Sequence, residues 1–376
     1  MIKKTACLIA VVIMSLSVFS QKVEVDYSAC RAMMLFIHYL KQENNREKLS
    51  AKLDSILQTR PYQTMFRHYN RPYRPNHLPV DVFKRMIMSL KFADLYNKGE
   101  NERADDMLKL WKKFYTNTAL YKKNLRQIEL SNLNVIIQEG IRHAQHWLPG
   151  SMKIPDFYFF IHPNGGSSAF AINGSQGYDF FQLPRDARGN LLMQQLVANV
   201  SHESHHLGLD IKQPTLGSHR DSIAFRFLTL FIAEGTASKF VDNLPGGCVP
   251  KINSKTGSNL ESEGIAIWKQ YTVREEEIFS EFVADFKKIN DGLYSMDSIS
   301  SRFVYWLSGY KGRAYFVGSE LYGAVYSAFG RETAFSAMID PTRLFNLYNQ
   351  AIRKMKLKCR SLPAWLVNWF TGMPDK

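Results

Sequence analysis

The stretch Asn199–Asp210, NVSHESHHLGLD, places three histidines and one glutamate within five consecutive positions. A helix turns by about 100° per residue, so His202 and His206 lie one turn apart on one face, with Glu203 beside them. Two imidazoles at this spacing can bind one zinc ion, and the glutamate between them can reach a water at an open coordination position. The pattern H-E-x-x-H therefore predicts a zinc site. The alternative is a pair of histidines that only form hydrogen bonds at a helix end.

The residues around this stretch predict the limits of the helix. Asn190 is a suitable N-cap for the run LLMQQLVANVSHESHHL, and Gly208 is placed to end the helix as a left-handed residue. We therefore expect the histidines in the last turns of this helix.

A third protein ligand has to come from elsewhere in the chain, because a catalytic zinc site keeps one position open for water. The metzincin pattern would place that ligand at position 212, which is a lysine, and Gly208 stands one position early for it. Asp210 could reach the metal only by an unusual path. The segment SIAFRFLTLFIAEGTASKFVDNL predicts the next helix, and Glu234 is the carboxylate on its apolar face.

Glu234 shares that face with four apolar residues at spacings of three and four, Phe227, Phe231, Ala237 and Val241. Burying an unpaired carboxylate is costly, so this position implies a charge partner. A zinc ion held by two histidines would be such a partner. A salt bridge to Arg220, to Arg226 or to a lysine of another segment is the alternative.

HESHH followed by EGTA on the next helix, after a small aromatic sheet and a helical N-terminal half, resembles the gluzincin zinc metallopeptidases. More narrowly, the chain is similar to exported bacterial families of zinc-dependent proteases of unknown substrate, which pair H-E-x-x-H with an E-G dipeptide. The resemblance covers roughly residues 131–351. It implies Zn²⁺ as the cofactor, His202, His206 and Glu234 as its ligands, and Glu203 as the general base.

The chain departs from the thermolysin-type pattern at one supporting position. Those enzymes carry an aspartate four residues after the third ligand, whereas this chain has Ser238. The residue that orients the histidines is therefore left open among Asn199, Asp221 and Asp242.

The wider pattern predicts an α+β fold that is predominantly α-helical. Residues 27–147 carry apolar residues at helical spacing, and helices resume at Asn190 and run to the C-terminus. Between them, FYFFIHP, SSAFAIN and YDFFQL predict a small antiparallel sheet next to the H-E-x-x-H helix. We divide the chain into a signal peptide at 1–20, a helical N-terminal region at 21–130 and a gluzincin-like catalytic domain at 131–376.

Two further elements acquire expected roles from the resemblance. Gluzincins have an edge strand that pairs with the substrate backbone, and GSSAFAIN at 166–173 is the candidate, with an ordinary surface hairpin as the alternative. They also place a tyrosine or histidine donor opposite the water, for which Tyr315 is our choice, on a helix whose Gly318 and Gly323 permit close packing. Core packing is the alternative for any tyrosine. Other candidates for the donor are Tyr310, Tyr322, His162 and His219.

The first twenty residues predict export. Lys3 and Lys4 precede the apolar run Ala6–Phe19, and small residues follow where a signal peptidase cleaves, so we expect a mature start near Gln21 and a periplasmic or extracellular protein. A retained membrane anchor is the alternative, although the run is shorter than the ~20 residues that span a bilayer. We expect no stable membrane span after the signal is removed.

Cysteine content and charge limit the remaining possibilities. Cys30, Cys248 and Cys359 stay after removal of the signal, so at most one internal disulfide can form and metal binding must rely on histidines and carboxylates. The formal net charge of +14 is dispersed, as on a solvated surface, and an exported protein has little access to nucleic acid. The expected partner is a peptide or protein substrate, and the oligomeric state is left open.

The sequence thus predicts a zinc metallopeptidase, with two alternatives. One is a non-catalytic helical binding protein with a structural metal site, which the intact Glu203 disfavours because such a site does not use a base. The other is a zinc hydrolase of a non-peptide amide, such as cell-wall material.

Overall fold

A computed structural model describes residues 21–71, 76–244, 247, 249, 251–252, 262–308 and 312–370. The predicted signal peptide at 1–20 lies outside the described residues, as do Cys7 and Cys248. The fold is α+β and predominantly helical, as the sequence predicts. None of the helices in the described ranges combines the length and the hydropathy that crossing a membrane requires.

The helices that precede the main strands occupy residues 28–146 and pack mainly through amphipathic faces. They are α1 (Ser28–Gln42), α2 (Arg46–Leu57), α3 (Arg60–Tyr69), α4 (Val80–Met88), α5 (Glu102–Thr116), α6 (Thr118–Leu130) and α7 (Leu133–His146). Asparagines begin several of them, because their side chains accept hydrogen bonds from the otherwise unpaired N–H groups of the first turn. The Asn101 side chain, for instance, accepts from the Ala104 N–H at the start of α5.

The sheet contains β1 (Val23–Asp26), β2 (Phe157–His162), β3 (Ala169–Ile172) and β4 (Ser175–Asp179), in the order β1-β2-β4-β3. It is mixed, so the prediction of an antiparallel sheet is wrong for two of its three pairings: β1 and β2 are parallel, and so are β2 and β4. Only β3 and β4 form an antiparallel hairpin. The chain reverses twice between β2 and β4, which makes those two strands parallel.

The β3–β4 hairpin has a sequence signature at its turn. Asn173 and Gly174 both have positive φ, of 44° and 67°, which a two-residue turn between twisted strands requires. The turn leaves β3 at the edge of the sheet, where the sequence analysis expects an edge strand.

The helices that follow the sheet occupy the remainder of the chain. They are α8 (Met193–Gly208), α9 (His219–Thr236), α10 (Ser262–Val273), α11 (Glu275–Asn290), α12 (Met296–Leu307), α13 (Arg313–Phe329), α14 (Arg331–Ile339), α15 (Leu344–Met355) and α16 (Ala364–Val367). One hydrophobic core joins residues between 29 and 200, and a second joins residues between 223 and 370. The division of the chain at residue 130 stays a prediction.

The ends of α8 differ from the sequence expectation. Leu192, not Asn190, is the N-cap, because Asn190 instead bonds to Asp186 in a tight loop. Gly208 is the last helical residue and is not left-handed. Its lack of a side chain serves packing, since a Cβ there would collide with Leu148 and Ile154.

Helices α9 and α13 cross in direct backbone contact. A Cβ on Gly235 would overlap the backbone of Gly318, and a Cβ on Gly318 would overlap the carbonyl oxygen of Phe231. The close packing expected of the small residues in α13 is therefore confirmed. Because Gly235 follows Glu234 directly, this crossing brings the first turn of α13 next to that carboxylate.

Candidate metal centre and cleft

The side chains of His202, His206 and Glu234 converge between α8 and α9. Glu234 Oε2 lies 3.3 Å from His202 Nε2 and 3.3 Å from His206 Nε2. The two imidazole rings have centroids 4.7 Å apart and are nearly perpendicular, at 88°. Helical spacing aligns the two histidines of α8, and Glu234 of α9 supplies the carboxylate, in the arrangement that the sequence predicts.

The spacing of these donor atoms suits a tetrahedral zinc ion. Zinc binds imidazole nitrogen and carboxylate oxygen at about 2.0–2.2 Å, so two ligands in a tetrahedron lie about 3.4 Å apart. The two measured distances of 3.3 Å fit this edge length. The donor set also suits zinc chemically, and a two-histidine, one-glutamate set leaves a fourth position for water.

Electrostatics keep Glu234 ionised despite its surroundings. Burial by itself raises the pKa of the carboxyl, but the nearby His206 and His202 outweigh that effect and hold it well below its ordinary value. The charge partners that Glu234 needs are thus found among the residues of the centre.

Asp242 orients the first histidine. Its Oδ2 lies 3.0 Å from His202 Nδ1 and both side chains are almost fully buried. A carboxylate at this position fixes the proton on Nδ1 and leaves the lone pair of Nε2 directed at the metal position. Of the alternatives left open, Asn199 is exposed, and Asp221 is in the first turn of α9, where its N–H bonds to the Ser218 hydroxyl.

A π-helical segment, Ala237–Val241, brings Asp242 into this position. It continues α9 without a break, and the Asp242 N–H bonds to the carbonyl of Ala237, five residues back. A wider turn rotates less per residue, so Asp242 stays near the face of Glu234 although it follows eight positions later. Ser238, which stands where thermolysin-type enzymes have the aspartate, is fully buried.

Tyr315 is beside the centre, on the first turn of α13. Its ring stacks on His202 with centroids 6.2 Å apart and planes 19° apart. Burial first, then the charges of Glu234 and Glu203 and a hydrogen bond to Glu234, raise the pKa of the phenol well above its ordinary value. The hydroxyl is therefore a proton-bearing donor at neutral pH.

The other donor candidates are placed elsewhere or not described. Tyr322 is buried and donates to the carbonyl of Ala337 at 2.9 Å. His162, the last residue of β2, is buried among aromatic rings, where burial lowers its pKa to about 3. His219 is exposed at the start of α9. Tyr310 lies outside the described residues.

A cleft of about 660 Å³ opens over these residues. Glu203 lines it together with His202, His206, Glu234 and Tyr315, and β3 forms one wall. The Asp179 N–H donates to the carbonyl oxygen of Ser168 at 2.9 Å, so Ser168 is hydrogen-bonded to its partner residue. Residues that bond to the neighbouring strand alternate with residues that do not along an antiparallel pair. The backbone groups of Ala169 and Ala171 therefore point away from β4. A row of backbone donors and acceptors therefore faces outward along this edge.

The N-terminal helices supply a part of the cleft that the sequence did not predict. His68 and Arg71, at the end of α3, and Arg103, in α5, line the same space as Glu203. They are about 100 residues or more away from the H-E-x-x-H helix along the chain, and no local pattern marks them. Arg226 of α9 also lines the cleft, although the sequence analysis considered it only as a salt-bridge partner.

A His₂Glu donor set beside a cleft with an open strand edge is typical of zinc-dependent hydrolases. The family model DUF5700, whose description reads "Putative zinc dependent peptidase", matches residues 53–357. The chain belongs to this zinc-dependent peptidase family, and its cofactor is Zn²⁺. The matched range includes every residue of the centre. Among curated proteins and among solved structures, no match was found.

Proposed function

We propose that this protein is an exported zinc peptidase of the H-E-x-x-H gluzincin type that hydrolyses peptide bonds. The observation that carries the proposal is the convergence of His202 Nε2, His206 Nε2 and Glu234 Oε2 at tetrahedral-edge distances. The family match supports zinc peptidase activity in general. Lys3 and Lys4, followed by the apolar run Ala6–Phe19, support export.

The three converging side chains would hold the zinc ion, which supplies Lewis-acid activation of water and of the scissile carbonyl. Glu203 accepts the proton of the attacking water and returns it to the leaving amine nitrogen. Its place one step around the helix from His202 lets its carboxylate face the cleft without competing for the metal. Asp242 fixes the tautomer and orientation of the His202 ring through its 3.0 Å contact to Nδ1.

Tyr315 donates a hydrogen bond from its phenolic O–H to the developing oxyanion. Burial and two nearby carboxylates keep that proton in place by raising the pKa of the hydroxyl. Its stacking on His202 and its position on α13, held by the Gly235–Gly318 contact, give the ring a fixed place beside the metal centre.

The exposed edge of β3 binds the substrate backbone as an additional strand. The outward backbone groups of Ala169 and the outward N–H of Ala171 offer hydrogen bonds to any extended peptide, whatever its side chains, while the Ala171 carbonyl accepts from Arg71. Recognition would therefore begin with an extended conformation, and side-chain preference would come from the cleft walls.

The test is metal analysis and digestion with the chain that starts at Gln21. We expect about one zinc per chain, and cleavage of casein or of a peptide library that a chelator stops and added zinc restores. Glu234→Ala serves as the matched variant, with lost zinc and lost cleavage expected. Peptides that are bound but stay intact would support a binding protein instead, and unaltered zinc content in Glu234→Ala would place the third ligand elsewhere.

A further inference from the structure

The charged residues that line the cleft do not balance once zinc is bound. Glu203 and Glu234 are the acidic side chains among the described lining residues, and a zinc ion compensates both. Arg71, Arg103 and Arg226 then leave the cleft positively charged. A substrate with an anionic group would meet an attractive potential in this confined space.

Arg71 is held in one orientation at the edge strand. Its Nη2 donates to the carbonyl of Ala171 at 3.1 Å and lies 2.6 Å from Nδ1 of His68. The Nε of the same guanidinium is buried and makes no hydrogen bond with any described residue. A guanidinium is a planar fork, and one that is fixed in orientation is suited to a carboxylate.

Arg226 lines the same cleft from α9. It shares a stripe of α9 with Leu230 and Glu234, at intervals of four residues, and all three line the cleft. Burial lowers the pKa of Arg71, the negative charge of Glu203 raises it, and the positive charge of Arg226 lowers it. The three groups therefore interact across the cleft. A substrate carboxylate in this part of the cleft would be attracted by both guanidinium groups.

The spacing of Arg226 and Glu234 along α9 shows how far Arg226 lies from the scissile bond. Arg226 and Glu234 are eight residues apart, which corresponds to a rise of about 12 Å. An extended peptide covers about 3.3 Å per residue, so the Arg226 guanidinium reaches substrate residues within about three positions of the bond that is cut.

We propose that Arg71 and Arg226 form a subsite that binds a carboxylate of the peptide substrate within about three residues of the scissile bond. The proposal rests on the proposed function for the presence of a scissile bond, but the subsite itself is a binding property. The carboxylate has two sources, an aspartate or glutamate side chain and the free C-terminus of the peptide. A bidentate, charge-assisted contact with either source favours the anionic peptide by about tenfold or more over a neutral one.

The test measures binding without turnover, by calorimetry on the zinc-loaded Glu203→Gln protein. The probes are N-acetylated alanine hexapeptides with one glutamate or one glutamine at successive positions, each made with a free and with an amidated C-terminus. We expect at least one anionic peptide to bind about tenfold or more tightly than its neutral counterpart. A preference within the glutamate–glutamine pairs identifies the side chain, and one within the free–amidated pairs identifies the terminus.

Arg71→Met and Arg226→Met should each remove most of that preference, whereas Arg188→Met, on an exposed loop, should keep it. Arg226 is exposed, so its variant reports on the subsite even where Arg71→Met reduces stability. Equal binding of anionic and neutral peptides, or a full preference retained in Arg226→Met, overturns the proposal. Selective binding in a protein that cleaves no peptide would reject the proposed function alone.

Discussion

Asp242 Oδ2 lies 3.0 Å from His202 Nδ1, eight positions after Glu234 instead of four. The π-helical segment between the two carboxylates accounts for this offset, because its wider turn keeps Asp242 near the face of Glu234. The contact connects α8 to the end of α9. The centre is therefore supported from behind by a residue that a comparison with thermolysin-type spacing would overlook.

Removing this support should weaken metal binding without removing a ligand. Asp242→Ala is expected to lower zinc affinity by about 10- to 100-fold, because the His202 ring loses the group that fixes its tautomer. The measurement is a competition titration against a chelator. Asp210→Ala, an exposed carboxylate near the end of α8, is the matched control and should leave the affinity unchanged. Equal affinities for wild type and Asp242→Ala would contradict the supporting role.

Replacing the proposed base should separate metal binding from hydrolysis. Glu203→Gln should retain stoichiometric zinc and lose activity by at least about 10²- to 10⁴-fold, because an amide cannot accept the proton of the attacking water. The measurement pairs metal analysis with the cleavage rate of one peptide. Turnover at the wild-type rate would remove Glu203 from the mechanism.

Tyr315→Phe should affect the chemical step. The ring can still stack on His202, so zinc content should not change, whereas loss of the oxyanion donor should lower kcat by about 10²-fold. Tyr322→Phe is the control, because it removes a hydroxyl from the same helix that bonds to Ala337. That variant should lose about 1 kcal/mol of stability and keep its kcat. A Tyr315→Phe enzyme with wild-type kcat would reject the donor role.

The glycine contact between α9 and α13 should not accept a methyl group. Gly318→Ala places a Cβ against the carbonyl of Phe231, so the helices must separate, at an expected cost of at least about 1–3 kcal/mol in the free energy of unfolding. Gly150→Ala is the control, because no atom lies within 4 Å of a Cβ there. Denaturant unfolding of both variants checks the prediction. Equal stability would show that the crossing can adjust.

Asp179 should make stability depend on pH. It is buried at the end of β4 and accepts from the backbone of Asn164, Gly165 and Phe181, yet burial outweighs these bonds and raises its pKa from 3.8 to about 6. A carboxyl whose pKa is higher in the folded protein contributes stability below about pH 4 that is lost as the pH rises through 6.

We therefore expect wild type to lose up to about 3 kcal/mol relative to Asp179→Asn as the pH is raised from 4 to 7. Urea unfolding of both proteins at several pH values gives this difference directly. A difference that stays constant, or that changes in favour of wild type as the pH rises, would contradict the assigned pKa direction.

Much of the candidate site follows from local sequence patterns. The places of His202, Glu203 and His206 on one helix follow from the turn of about 100° per residue, and the apolar face of the next helix singles out Glu234. The helix-dominated fold and the close packing of α13 also follow from composition and spacing, whereas the edge strand was expected from the resemblance to gluzincins. Tyr315 was one of several candidates for the oxyanion donor. The crossing of α9 and α13 at Gly235 and Gly318 brings it to the metal centre, and none of the other candidates that the structure describes lies there.

Tertiary structure decided what depends on contacts between distant segments. The parallel pairing of β1 with β2 joins residues more than 130 positions apart, and Arg71 reaches the edge strand across 100 positions. The side chains of Leu148 and Ile154 explain why position 208 is a glycine, and a π-helical turn explains why Asp242 reaches His202. Backbone geometry sets the spacing within one helix or strand, so sequence periodicity reveals it. Which elements meet is set by packing of the whole chain, and no local period encodes that.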